Sequence, residues 1–400
     1  MEPKEASEQN LALNPTVVKL GLVSFFADVA SEMLYPITPI FLTTVLGASM
    51  ASVGIIEGIA ESIASLMKTY SGSWSDRINK RKPFIISGYA LGALAKPLIG
   101  ISTSWMDVLF ARGVDRTGKG LRSAPRDAMI ADSVSADKRG AAFGWHRGMD
   151  TLGAAVGPLL AFVLISLNPD DLRPLFFWAL IPGAISVSII FSIREKAHPA
   201  HATTWKNPFS AWKDMNIDYR RYVYAWAAFS VANSSDVFLL MKAKASGMST
   251  QSVILLFCAY NVTYALSSPK LGQLSDRFDR RNVLISGLLV FAAVYVGFGV
   301  ADQPWHYWAL FLIYGVYMGA TDGVGKAFAV DLSPKDLKGT GLGILGTVTG
   351  ICTIAASSTA GILWDTVGKM WPFFFGMAGA LVAAAMLLMV PSNMSLRAKS

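Results

Sequence analysis

Charge is scarce in this 400-residue chain: Asp, Glu, Lys and Arg make up 16% of it, against 53% hydrophobic residues. A soluble domain carries roughly 25% charged residues, so this composition, with a mean hydropathy of +0.43, excludes an ordinary soluble protein. Cysteine is nearly absent. Cys258 and Cys352 both lie within apolar segments, which leaves no disulfide framework and no cysteine-based metal centre. The histidines, His146, His198, His201 and His306, are dispersed without metal-ligand spacing, and no serine or cysteine stands in a recognisable nucleophile motif. Neither a metal nor a cofactor is expected, and an enzyme is the weaker reading. The opening "MEPKEASEQNLALNPTVVK" is polar and lacks the apolar core and small-residue cleavage site of a secretory signal.

What the chain has instead is a series of apolar runs, among them "FIISGYALGALAKPLIGIS", "LFFWALIPGAISVSIIFSI" and "FFFGMAGALVAAAMLLMV". Each is long enough to cross about 30 Å of hydrocarbon as a helix. Twelve spans are read near 17–45, 52–72, 83–103, 106–133, 140–167, 174–193, 221–241, 251–273, 282–301, 305–331, 340–364 and 370–391. With the N-terminus cytoplasmic, the inner loops receive Arg77, Lys80, Arg81, Lys82, Lys138, Arg139 and the basic residues from Arg194 to Arg221. That bias obeys the positive-inside rule. It accounts for the net charge of +8 without a nucleic-acid partner. The expected setting is a bacterial inner membrane or other plasma membrane, with both termini cytoplasmic.

The two halves repeat. "GSWSDRINKRK" at Gly72 returns as "GQLSDRFDRRN" at Gly272, and "SADKRGAAFG" at Ser135 returns as "SPKDLKGTGLG" at Ser333. The expected fold is therefore all-α, with twelve transmembrane helices in two pseudo-symmetric six-helix bundles, 17–193 and 221–391. A cytoplasmic segment 1–16, a central linker 194–220 and a tail 392–400 complete the chain. The linker mixes charge, proline and aromatic residues, and an interfacial amphipathic helix is expected in it.

One stretch departs from the apolar background: "RGVDRTGKGLRSAPRD", Arg112 to Asp127. Its "GVDRTGKG" is one residue from a phosphate-binding P-loop, but Gly120 stands where a hydroxyl should be, and no alternation of strands and helices surrounds it. On a helix turning about 100° per residue, Asp115, Arg116, Lys119, Arg122, Arg126 and Asp127 join Arg112 on one face about 140° wide. Such a span cannot face lipid and is suited to line an aqueous cavity. Glu57 and Glu61, on one face of span two, are the expected partners of Arg112 and Arg116. Arg122, Arg126 and Lys119 are the expected substrate contacts.

Span one carries Asp28 and Glu32, four residues apart on one face. A carboxylate within a membrane span is a functional candidate by default, and the two are candidate proton carriers. Aligning "FFADVASEM" with "FSVANSSDV" sets Asp236 opposite Glu32, which adds Asp236 as a carrier and Asn233 as a cavity residue. Asp322 and Lys326, an i, i+4 pair in span ten, also join the cavity set. His146, Arg147 and Asp150 fall within about one helical turn. Phe25, Phe26, Tyr35, Trp226, Tyr260 and Tyr264 are candidate cavity aromatics.

These motifs together resemble the major facilitator superfamily over nearly the whole chain. The loop Gly72-x-x-x-Asp76-Arg77-x-x-Lys80-Arg81 resembles its signature loop, with Asn79 in place of a glycine. The second copy, Gly272, Asp276, Arg277 and Arg281, has Asp279 there. The resemblance implies a cytoplasmic gate at these residues. In span five, Gly144, Gly153, Gly157 and Pro158 resemble the spacing of the superfamily's antiporters, although Ala161 and Phe162 replace its closing glycines. "YPITPIF", around Pro36 and Pro39, is similar to the proline motif of twelve-span drug and metabolite antiporters. The resemblance implies a monomeric, proton-coupled antiporter exporting a small organic compound by alternating access. The basic span four suggests an anionic or zwitterionic substrate, and the alternative is a proton-coupled importer of an organic acid or metal chelate.

Overall fold

In lipid every backbone polar group must be satisfied within the protein, so apolar runs of this length fold as helices. The computed structural model describes residues 14–78, 80–135, 138–195, 212–334 and 337–392, without the side chains of Ser73, Asp76, Gly140 and residues 272–277. His198, His201, Asn79 and residues 196–211 of the linker expected to carry an interfacial helix lie outside the described residues, as do the side chains of the gate residues Asp76, Asp276 and Arg277 and the surroundings of Gly272.

Twelve rods run back and forth. Span one is Pro15–Glu32, continued by Ile37–Ile40 and a π-helical turn, Phe41–Val45. Spans two to five are Met50–Ile78, Lys82–Gly100, Trp105–Asp132 and Arg139–Leu167. Span six is Arg173–Trp178 with Leu180–Phe191, and span seven is Ile217–Ser230 with Val237–Ala245. Spans eight to twelve are Thr250–Arg277, Arg280–Val300, Pro304–Leu332, Lys338–Thr366 and Trp371–Leu387. Among the described residues seven helices are long and apolar enough to cross a membrane; span four is not one of them, because of its charge.

Two expectations are corrected here. Spans one and seven are not continuous. Span one breaks at residues 33–36, directly after Glu32. Pro36 and Pro39 supply no N–H to the ladder, while the hydroxyls of Thr38, Thr43 and Thr44 return to the carbonyls of Leu34, Pro39 and Ile40 at 2.7–2.9 Å. Span seven breaks at residues 231–236, ending at Asp236. The linker also ends earlier than expected, since residues 217–220 already belong to span seven.

The connections after the even-numbered spans gather at one end, which we call the basic end. Here Asn14 donates to the carbonyl of Ser133 at 2.7 Å and Lys82 to that of Ile193 at 2.6 Å. Arg81 pairs with Asp132 and, by its backbone N–H, with Glu195. The second half repeats the theme, with Arg280 on Asp331 at 2.7 Å and Arg281 donating to the carbonyl of Val390 at 3.0 Å. Asp279, at the position of a usual glycine, caps span nine by accepting from the N–H of Arg281 at 3.3 Å.

At the far end the two halves meet tightly along spans two and eleven. A Cβ on Gly54 would strike the carbonyl oxygen of Ser357, and one on Gly58 would lie 2.8 Å from Cα of Ile354. Small residues let membrane helices approach this closely. The Asp365 carboxylate accepts from the N–H groups of Met50 at 3.3 Å and Ala51 at 2.7 Å, an anion on the positive end of the span-two helix. Toward the basic end the contact of the same helices loosens: a Cβ on Gly350 would lie 2.6 Å from Cβ of Ser65, one on Gly343 3.9 Å from Cγ2 of Thr69, and one on Gly346, between them, would meet nothing within 4 Å.

Span two is held on its other side by the charges of span four. Arg112 pairs with Glu57 at 2.5 Å, and Arg116 with Glu61 at 3.2 Å. Lys96 of span three completes the group on Asp115 at 3.5 Å. The expected partners are thus the observed ones. Gly118 and Gly120 of the false P-loop serve packing, against Gly88 and Met67 respectively.

Removing one member of a buried pair strands the other, at a cost of about 3–5 kcal/mol, whereas replacing both by apolar residues is often near neutral. Glu57→Gln alone is therefore expected to lower the melting temperature sharply, and Glu57→Met with Arg112→Met to recover most of the loss. Gly58→Leu is expected to lower it too, while Gly346→Leu leaves it nearly unchanged; thermal unfolding of the purified protein in lipid nanodiscs checks both contrasts.

Candidate functional site

A cavity of about 820 Å³ occupies the basic-end half, walled by spans one, two, four, five and eight. A second chamber of about 40 Å³ lies beside it, lined in part by Tyr35, Lys96 and Arg112. Asp28, Glu32, Lys119 and Arg122 line both. They form the junction between an open polar cavity and a narrow buried one.

Span one reaches this junction because span five lets it. A Cβ on Gly153 would lie 2.6 Å from the carbonyl oxygen of Phe25 and 3.0 Å from Cβ of Asp28. One on Gly157 would lie 2.8 Å from the carbonyl oxygen of Val29 and 3.2 Å from Cβ of Glu32. Two glycines of the antiporter-like pattern therefore seat the two carboxylates. Gly144 meets nothing within 4 Å and lines the cavity. Among the described residues neither Asp28 nor Glu32 takes part in an ion pair, so a static bridge from Glu32 to span four is absent from this conformation.

The cations of the cavity fall into two sets. Arg126 is engaged by Asp127 at 2.9 Å, with Ser24 at 3.2 Å and Tyr89 at 3.4 Å. Arg122, Lys119 and Lys68 take part in no ion pair among the described residues. Arg122 is 7% exposed, lies 4.1 Å over the Tyr89 ring, and keeps its Nε without a hydrogen-bond partner. Lys68 was missed in the sequence, although its eleven-residue spacing from Glu57 is about three helical turns and sets it on the charged face.

The opposite wall belongs to span eight. Arg147 of span five donates to the Tyr264 hydroxyl at 3.0 Å, and that hydroxyl donates to Asp322 at 3.1 Å. Asp322 in turn holds Lys326 at 2.7 Å. This chain of polar contacts links the two halves across the cavity. Asp322 and Lys326 do not themselves line it but reach it through Tyr264. His146 Nδ1 lies 3.6 Å from Asp150, and Asp150 lines the cavity.

Asp236 and Asn233 are corrected. Neither lines the cavity. Asp236 accepts from Tyr314 at 2.7 Å and Tyr260 at 3.3 Å within a cluster of stacked rings. The symmetry that aligned it with Glu32 holds in the backbone, since both stand at helix breaks, but the aromatic packing of the second half encloses Asp236. Of the candidate aromatics, Tyr35 lines the small chamber and Tyr264 the large one. Phe25, Phe26 and Trp226 line neither.

Comparison with known proteins agrees with this geometry. The family description "Major Facilitator Superfamily" matches residues 20–255 and 224–397. The chain is 32% identical to an uncharacterized MFS-type transporter of Methanocaldococcus jannaschii, over 97% of this chain and 100% of that one. It is 22% identical to sugar efflux transporter A of Dickeya chrysanthemi, over 92% and 91% of the two chains. The crystal structure of the nucleoside transporter NupG superposes with a TM-score of 0.77 at 13% identity, covering 94% of this chain and 99% of that one, which bears on the fold alone. The chain is a multi-pass membrane protein of twelve spans and belongs to the Major Facilitator Superfamily.

Proposed function

We propose that this protein is a proton-coupled secondary transporter of a small hydrophilic compound, anionic or zwitterionic, working by alternating access. The observation that carries this reading is the junction of Asp28, Glu32, Lys119 and Arg122, where two carboxylates outside any ion pair meet two such cations at the base of a closed-ended cavity. Carboxylates so placed can take up and release protons as their neighbours move. The breaks beside Glu32 and at Asp236 are the kind of discontinuity that transporters place near the centre of the bilayer.

With the basic end taken as cytoplasmic by the positive-inside rule, this conformation is open inward and sealed outward. The seal is the contact of spans two and eleven with Asp365 on the span-two N-terminus. The outward-open state requires that contact to separate, and the matching closure at the basic end draws on Gly72, Arg77 and Arg81 with their second-half counterparts Gly272, Asp276, Arg277 and Arg281.

Exchange with export was suggested by the span-five pattern, and the efflux name of one relative points the same way. The packing role of Gly153 and Gly157 explains those glycines without any direction of transport. Import driven by the same proton gradient is therefore an equal expectation at this stage.

In proteoliposomes, Glu32→Gln is expected to abolish substrate-dependent proton movement while leaving the protein folded; unchanged proton flux in that variant would remove Glu32 from the coupling. For orientation, Ser268→Cys in a background lacking Cys258 and Cys352 is expected to react with a membrane-impermeant thiol reagent in inside-out vesicles and much more slowly in right-side-out ones. The reverse order would invert the assignment of the two ends.

A further inference from the structure

Along span four the charges divide into paired ends and an unpaired middle. Toward the far end every cation has a carboxylate: Arg112 on Glu57, Arg116 on Glu61, and Lys96 of span three on Asp115. Nearer the basic end Arg126 has Asp127. Between them Lys119 and Arg122, with Lys68 of span two, converge on the cavity and, among the described residues, form no ion pair. A buried cation outside an ion pair is costly; Arg122 lies over the face of Tyr89 and within the field of Asp28 and Asp115. The remaining walls contribute the charged Arg126, Arg147 and Asp150, the polar Asn261, Ser268, Ser123 and Thr151, and a single aromatic ring, Tyr264. Such walls suit a hydrated ligand and not a lipophilic one.

We propose that the cavity binds a small organic anion, a carboxylate or phosphate, on Lys68, Lys119 and Arg122, and that anion and proton bind together, making the protein a proton–anion cotransporter. This rests on the transporter reading above and fixes its substrate class and the sign of its coupling.

The sign follows from the shared junction. Ionised Asp28 and Glu32 offset the field of Lys119 and Arg122 and repel an incoming anion. Protonated, they do neither, so the proton raises anion affinity, and the anion raises proton affinity by the same factor. A cationic substrate would instead compete with the proton, which is the linkage that exchange requires. Most other charges around the two carboxylates are already engaged. Glu32 faces Arg112 and Arg116 of span four and Glu61 of span two, all in pairs, besides Lys119. Asp28 faces Asp150 of span five, whose Oδ1 has no hydrogen-bond partner, besides Glu32, Lys119 and Arg122. The charges free to respond are thus the carboxylates Asp28, Glu32 and Asp150 and the cations beside them.

The test is calorimetric titration of the full-length protein in lipid nanodiscs with citrate, phenyl phosphate and tetraphenylphosphonium, from mildly acidic to mildly alkaline pH. An anion is expected to bind and the cation not, with anion affinity rising toward about tenfold per pH unit of acidification for one linked proton. The preferred anion tells carboxylate from phosphate. Lys119→Gln is expected to weaken the anion about tenfold or more, Lys119→Arg to restore it, and Glu32→Gln to flatten the pH slope while binding persists. Restoration by arginine separates loss of the contact from misfolding. Preference for the cation, anion affinity that is flat or falls on acidification, or no binding of either anion overturns the inference. Glu32-dependent proton flux driven by tetraphenylphosphonium in proteoliposomes would overturn the anion assignment and keep the proton-coupled transporter. Acid-strengthened anion binding with no proton flux would instead remove the transport reading and leave the anion site.

Discussion

The structure depends on the pairing of Arg112 and Arg116 with Glu57 and Glu61. A helix with charges along one face has no stable place in hydrocarbon, and these pairs give span four its place by fixing it to span two. Span two can then present Gly54 and Gly58 to span eleven, and the two halves close at the far end. The pairs are confined to the outer part of span four. Beyond them the same charged face continues as Lys119, Arg122 and Arg126, with Lys68 across from it, and these line the cavity. One row of charges thus builds both the seal and the site.

Span one carries the second constraint. Its helix stops at Glu32, where Pro36 and Pro39 deny it backbone donors, and span five accepts it through Gly153 and Gly157. The carboxylates of Asp28 and Glu32 therefore stand at a contact with little slack, against a helix that also carries Asp150 and Arg147 into the cavity. From span five, Arg147, Tyr264, Asp322 and Lys326 continue into the second half through hydrogen bonds.

Most of the architecture was legible in the sequence, because lipid permits few alternatives and the repeated loops reported the two halves directly. The one-sided charge of span four and its partners on span two followed from helical periodicity alone. What periodicity does not report is where a helix stops: the break in span one depends on Pro36 and Pro39 with the hydroxyls of Thr38, Thr43 and Thr44, and that in span seven falls in the polar run Asn233 to Asp236, where the Ser235 N–H donates to the Ser357 hydroxyl at 3.2 Å. Asp236 was misplaced for a different reason. Repeat symmetry carries over backbone position but not the side chains around it: in the second half Tyr260 and Tyr314 hydrogen-bond the Asp236 carboxylate, whereas Asp28 and Glu32 line the cavity. Lys68 was legible by its spacing from Glu57 and Glu61.

The central claim is that an anion at Lys68, Lys119 and Arg122 and a proton at the neighbouring carboxylates occupy the cavity together. Infrared difference spectroscopy of the protein in nanodiscs, on addition of the tightest-binding anion at constant pH, reports the protonation of carboxyl groups directly. The account predicts that the anion produces a protonated-carboxyl band at the expense of carboxylate absorption, and that Glu32→Gln or Asp28→Asn removes part of that band. A loss of protonated carboxyl on anion binding, or no change at all, would contradict it.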